Sequence, residues 1–151
     1  MRILLSPMAV PMMMAMLAGC GDESLLAPEV GEPRIPDGRT CFAEDSDPDV
    51  DVSFQVLVAQ VLEPRCSCHT ISGGLGQVVG RLNLANYDAA LSGGVRAGDE
   101  TIIPGDPCGS ALYLKTTDTP PFGARMPFDG TGIRPEEQQM IIDWIADGAL
   151  P

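Results

Sequence analysis

Past residue 52, apolar side chains recur with a helical period. Phe54, Leu57, Val58, Val61 and Leu62 fall at i, i+3, i+4, i+7 and i+8. This is the stripe of an amphipathic helix that starts at the N-cap Ser53 and closes at Pro64, which has no N–H to give. Its apolar face reads as core. A second stripe, Met140, Ile141, Trp144 and Ile145, follows Pro135. Proline suits a first helical position, Glu136 and Glu137 sit well near the positive end, and Gly148 stops the helix. Between them, "LNLANYDAALSGG" predicts a short helix from about Asn86 to Leu91 ended by Gly93-Gly94. In "DPCGSALYLK", Asp106 caps a further helix with Pro107 at its first position. "ISGGLGQ" reads as a slack glycine-rich loop. "TTDTPPFGARMPFDGTG" holds too much Pro and Gly for regular structure and predicts a long loop, which in a compact domain is often functional. Strand signal is confined to short pieces such as "TIIP", and no internal repeat is visible.

The N-terminal part is built differently. Residues 1–19, "MRILLSPMAVPMMMAMLAG", carry one positive charge at Arg2 and then an almost unbroken apolar run. That is the form of a secretory signal, too short for a membrane span. It ends in Leu17-Ala18-Gly19-Cys20, which resembles the lipobox of bacterial lipoproteins. The resemblance implies lipid modification of Cys20 and an extracytoplasmic protein, in the periplasm or at the cell surface, anchored to a membrane by acyl chains. Residues 20–52 are acidic and rich in Pro and Gly without a sustained period, and read as a linker. Residues 53–151 then form one small domain, near the lower size limit for a single core, where a covalent cofactor or disulfides would help.

Charge narrows the partners. The chain has 9 basic and 21 acidic residues, a formal net charge of −12. Nucleic-acid binding is disfavoured, since phosphate contacts need a basic face; a protein partner with a basic docking face suits better. No nucleophile elbow, phosphate loop or paired catalytic carboxylates stand out, so the chain is not expected to be an enzyme.

The chemistry concentrates in "PRCSCHT", residues 64–70. A Cys-x-x-Cys-His run is a c-type haem attachment site, with two thiols bonded to the porphyrin and the histidine on iron. Here Cys66, Cys68 and His69 lack one spacer. His69 is the chain's single histidine, so bis-histidine ligation within the chain is excluded by counting. Methionine is a common second ligand. Apart from Met126 and Met140, every methionine lies in the first 19 residues. Met140 belongs to an apolar helical face; Met126, in "GARMPF", lies in the long loop, where a thioether is free to approach iron.

The order of helix, cysteine pair with histidine, "LNLANYDAALSGG", "IIPGDPCGSALYLK", "ARMP" and "PEEQQMIIDWIADGA" resembles the small c-type cytochrome domains of planctomycetes, myxobacteria and related bacteria. The resemblance covers about residues 54 to 150. It implies the all-α cytochrome c fold, with the first and last helices crossing and the Phe54/Val58 face against Trp144/Ile145. It also implies one covalent haem c and electron transfer between extracytoplasmic redox partners, with His69 and Met126 as axial ligands. The motif departs from the family: Arg65 stands where Cys-x-x-Cys-His puts its first cysteine. Three readings stay open: both Cys66 and Cys68 bond haem, Cys68 alone does so while Cys66 forms a disulfide, or haem has been lost. Two thioethers are favoured, with Cys68 the more secure because it keeps its place before His69. They leave Cys41 and Cys108, which can pair in an oxidising compartment. The competing functions are a Cu(I)- or zinc-binding module built on Cys66, Cys68 and His69 with Cys41, Cys108 or Met126, and a haem-free, disulfide-stabilised interaction domain.

Overall fold

The computed structural model describes residues 45–151. The signal segment, Cys20, Cys41 and most of the linker lie outside the described residues. Within them the fold is all-helical, with no strand, "TIIP" included. No helix among the described residues is long and apolar enough to cross a membrane.

The first helical stripe folds as three segments in series: α1 (Phe54–Leu57), a π-helical turn (Val58–Leu62) and α2 (Glu63–Arg65). Ser53 caps the start, its hydroxyl accepting the Val56 N–H at 3.3 Å,. Contrary to expectation, Pro64 does not close the helix. Proline cannot donate to the carbonyl four residues back, and the turn just before it is the one that opens to π spacing. There the Glu63 N–H donates to the Val58 carbonyl, five residues back,. Helical geometry then runs on to Arg65.

After Cys66 come α3 (Ser67–Thr70), α4 (Leu75–Val78), α5 (Tyr87–Leu91), a 3-10 turn (Gly98–Thr101), α6 (Ala111–Leu114) and α7 (Pro135–Ala146). The helix α5 has its expected cap, the Asn86 side chain accepting the Ala89 N–H at 3.0 Å. In "DPCGSALYLK" the helix is shorter than predicted. Asp106 does accept the Gly109 N–H at 2.8 Å. The buried Ser110 hydroxyl, however, accepts the Ile103 N–H and donates to the Asp106 carbonyl, both at 2.8 Å. These local bonds compete with helix, and regular structure starts only at Ala111. The run "ISGGLGQ" is not slack throughout, because its last residues open α4.

The core lies between the first helical rod and α7. Phe54, Leu57, Val61 and Leu62 pack with Ile141, Trp144 and Ile145, all buried. The Phe54 ring meets Trp144 and, edge-on, Tyr87, each at 5.5 Å between centroids. Trp144 is fully enclosed, and its indole N–H donates to the Leu150 carbonyl at 2.7 Å. Truncating such a residue to alanine costs about 3–5 kcal/mol.

An ion cluster ties the same two elements at the far end of the rod. Glu137, in the first turn of α7, is buried, yet Arg65 Nε reaches both its oxygens at 3.0 Å. Arg134 adds its guanidinium at 2.7 Å and its backbone N–H at 2.9 Å. Burial pushes the Glu137 carboxyl up. The two guanidinium groups and the N–H outweigh this and hold it at about 2,. Residues 45–52 lie against the domain, where Ser46 donates its N–H and hydroxyl to Asp143 at 2.9 and 2.7 Å.

Candidate functional site

The helical rod delivers the chain to Cys66, which is the N-cap of α3 and ends the run of buried positions Val61, Leu62, Cys66. Cys66, with φ −116° and ψ 32°, stands outside helical geometry at the junction of the rod and α3. Cys66 and His69 nonetheless line one cavity, whereas Cys68 does not. Cys66 is buried, while Cys68 is exposed.

The inward face opens on a cavity of about 310 Å³, within the usual range for a ligand site. Cys66, His69 and Met126 all line it, with Leu82, Leu84 and Leu112 among its apolar walls. Of the four sequence-predicted haem residues, three converge here and Cys68 does not. Met140 packs against the core instead. Cys108 is disulfide-bonded. Cys66 and Cys68 carry free thiols, and Cys41, the expected partner of Cys108, lies outside the described residues.

His69 is held in a defined orientation. Its Nδ1 lies 3.3 Å from the Leu82 carbonyl. A carbonyl only accepts, so the proton belongs on Nδ1 and the lone pair on Nε2. The backbone beneath it is tied as well: the His69 carbonyl receives the Leu84 N–H at 2.9 Å and the Gln77 amide at 3.0 Å. Gly76, in α4, lies so close that a methyl in its place would run into the imidazole. Burial lowers the His69 pKa, the Leu82 bond opposing only in part. The ring is therefore neutral near pH 7, the form that ligates metal. Burial pushes the Cys66 thiol up to about 12, helped by Cys68 and Glu137, so it is a neutral thiol.

Two cations, Arg96 and Lys115, also reach the cavity wall. Neither stood out in the sequence: Arg96 lies in no motif or periodic stripe, and Lys115 only closes "DPCGSALYLK", where nothing marked it as a cavity residue. Met126 sits on its loop with its N–H donating to the Lys115 carbonyl at 2.7 Å.

Among the described residues, no group of three or more His, Cys, Asp and Glu side chains is placed to hold a metal ion. Cys68 is exposed and does not join Cys66 and His69 at the cavity. Comparison of the chain with protein-family models, curated proteins and solved structures finds no match.

Proposed function

We propose that this chain is a small c-type cytochrome, a monohaem electron carrier held to a membrane through Cys20 in an extracytoplasmic compartment. The observation that carries the reading is convergence. An imidazole protonated on Nδ1 and a thiol from one motif, and a thioether from a loop far along the chain, line one apolar cavity. An apolar enclosure with an N/S ligand pair fits a haem better than it fits a polar metabolite.

In this reading His69 and Met126 would hold the iron, and Cys66 would supply the thiol that adds across a porphyrin vinyl group. Cys68, exposed and off the cavity wall, is left free, so one thioether is expected where the intact motif makes two. Haem c, when bound, supplies a reversible one-electron couple. The chain's own residues do the rest. The Leu82 carbonyl orients His69 and raises its basicity. The Met126 thioether favours the reduced metal, and the apolar walls exclude water from it. The acidic surface suits donors and acceptors with basic docking faces.

The test is the absorption spectrum, in alkaline pyridine, of the protein matured with a haem-attachment system. A covalent haem absorbing at the single-thioether position is expected. Absence of covalent haem from correctly exported protein overturns the reading.

A further inference from the structure

The long loop that carries Met126 has no helix to fix it, so its position depends on what grips it. Its anchor is the end of α6, where the last carbonyls of a helix lack helical partners. The Met126 N–H takes the Lys115 carbonyl at 2.7 Å. Beside it, Arg125 Nε takes the Thr116 carbonyl at 3.0 Å, which also receives the Gln138 amide at 3.0 Å. Lys115 then reaches back with its side chain. Its ammonium donates to the Phe122 carbonyl at 2.6 Å and to the Ala124 carbonyl, and lies 4.8 Å from the centre of the Phe122 ring. One residue thus holds the loop at three points: Phe122, Ala124 and, through its own carbonyl, Met126. The ammonium is half-buried in the cavity wall, where burial and the nearby Arg96 lower its pKa. Two carbonyls and a ring face compensate for water lost there.

We infer that Lys115 is the positioning residue for Met126: its ammonium gathers the Phe122 and Ala124 carbonyls so that the loop presents the Met126 thioether to the cavity. The inference rests on Met126 being the iron ligand. A compact point charge with three donors is suited to gathering backbone carbonyls in this way, and no apolar residue can replace it.

The test compares the full wild-type chain with Lys115→Met and Lys115→Arg, and reads two signals. Amide hydrogen exchange over residues 122–126 should quicken about tenfold in Lys115→Met, the scale set by losing a charge-assisted hydrogen bond at a loop. Lys115→Arg should restore most of the protection. In haem-loaded protein, the near-infrared sulfur-to-iron band of the oxidised form should weaken in Lys115→Met and return in Lys115→Arg, with far-ultraviolet circular dichroism unchanged throughout. Exchange equal to wild type in Lys115→Met overturns the inference, as does a band of full strength alongside fast exchange. Fast exchange in a chain that never acquires haem supports the grip of Lys115 on the loop and overturns the cytochrome reading instead. If Lys115→Met does not fold, Lys115→Gln, which keeps two donors without the charge, should show intermediate exchange; wild-type exchange there also overturns the inference.

Discussion

Gly76→Ala, a single methyl group, tests whether His69 is held as described. At Gly76 in α4 a Cβ would stand 2.5 Å from Cγ and Cε1 of the His69 ring and closer still to Nδ1. Carbon atoms prefer about 3.5–4.0 Å, so the ring must retreat by about 1 Å. The same ring is tied by Nδ1 to the Leu82 carbonyl at 3.3 Å, so near the limit of a hydrogen bond that a shift of that size disrupts its geometry. In an open helix the substitution would stabilise by about 1 kcal/mol through helix propensity. Against this stand overpacking, about 1–3 kcal/mol, and a lost hydrogen bond, about 0.5–1.5 kcal/mol. The costs win, with a net loss of about 2 kcal/mol. Urea unfolding followed by Trp144 fluorescence measures it, because Trp144 is fully enclosed. With a slope of about 1–3 kcal/mol per molar urea, the midpoint should fall by about 1 M. The His69 ring signals in NMR should move as well. A midpoint equal to or above wild type, with those signals unmoved, would refute the packing of α4 on the imidazole.

Cys66→Ala should abolish covalent haem attachment while Cys68→Ala retains it, read by the haem that stays with the chain on denaturing gels; the reverse result would show that α3 turns Cys68 inward when haem is bound. Met126→Ala should keep the haem, lose the near-infrared sulfur-to-iron band and lower the reduction potential, while Met140→Leu, away from the cavity wall, changes neither; control of the band by Met140 would refute the ligand assignment. Glu137 is held at about 2 in the folded chain against an ordinary 4.5. A depressed carboxyl stabilises the fold above its unfolded pKa and loses that contribution as pH falls from about 4.5 towards about 2. Stability measured across that window should drop more steeply for wild type than for Glu137→Gln, and equal slopes would show that the cluster contributes nothing.

Much of the fold was legible because it is local. The Asn86 cap of α5, the apolar face of α7 and its glycine stop follow from neighbours in the sequence, and the structure has them where the pattern puts them. Cys66, His69 and Met126 were singled out by position: a cysteine beside the chain's single histidine, and one of the two methionines beyond residue 19. The direction of each cysteine was not legible. It depends on the helical phase at which the rod enters α3, and the apolar stripe reads almost the same through a π turn as through an α turn. The helix α4 was hidden by Gly74 at its cap and Gly76 within it, and its own Gln77 ties it to its surroundings, donating to the His69 carbonyl and to Asn83. Glu137 was read as a partner of the helix dipole, but it is a buried acceptor for Arg65, distant in sequence, and no spacing rule joins those two residues.

The π turn at Val58–Leu62 has a consequence for how this motif can vary. Such a turn accommodates one more residue than an α turn without changing the helix axis, so everything after it is shifted in frame by about 100°. The rod offset in this way presents Cys66 to the cavity, with Arg65 on the flank where it meets Glu137. Removing one residue between 58 and 62 should turn Arg65 towards the core and carry Cys66 off the cavity.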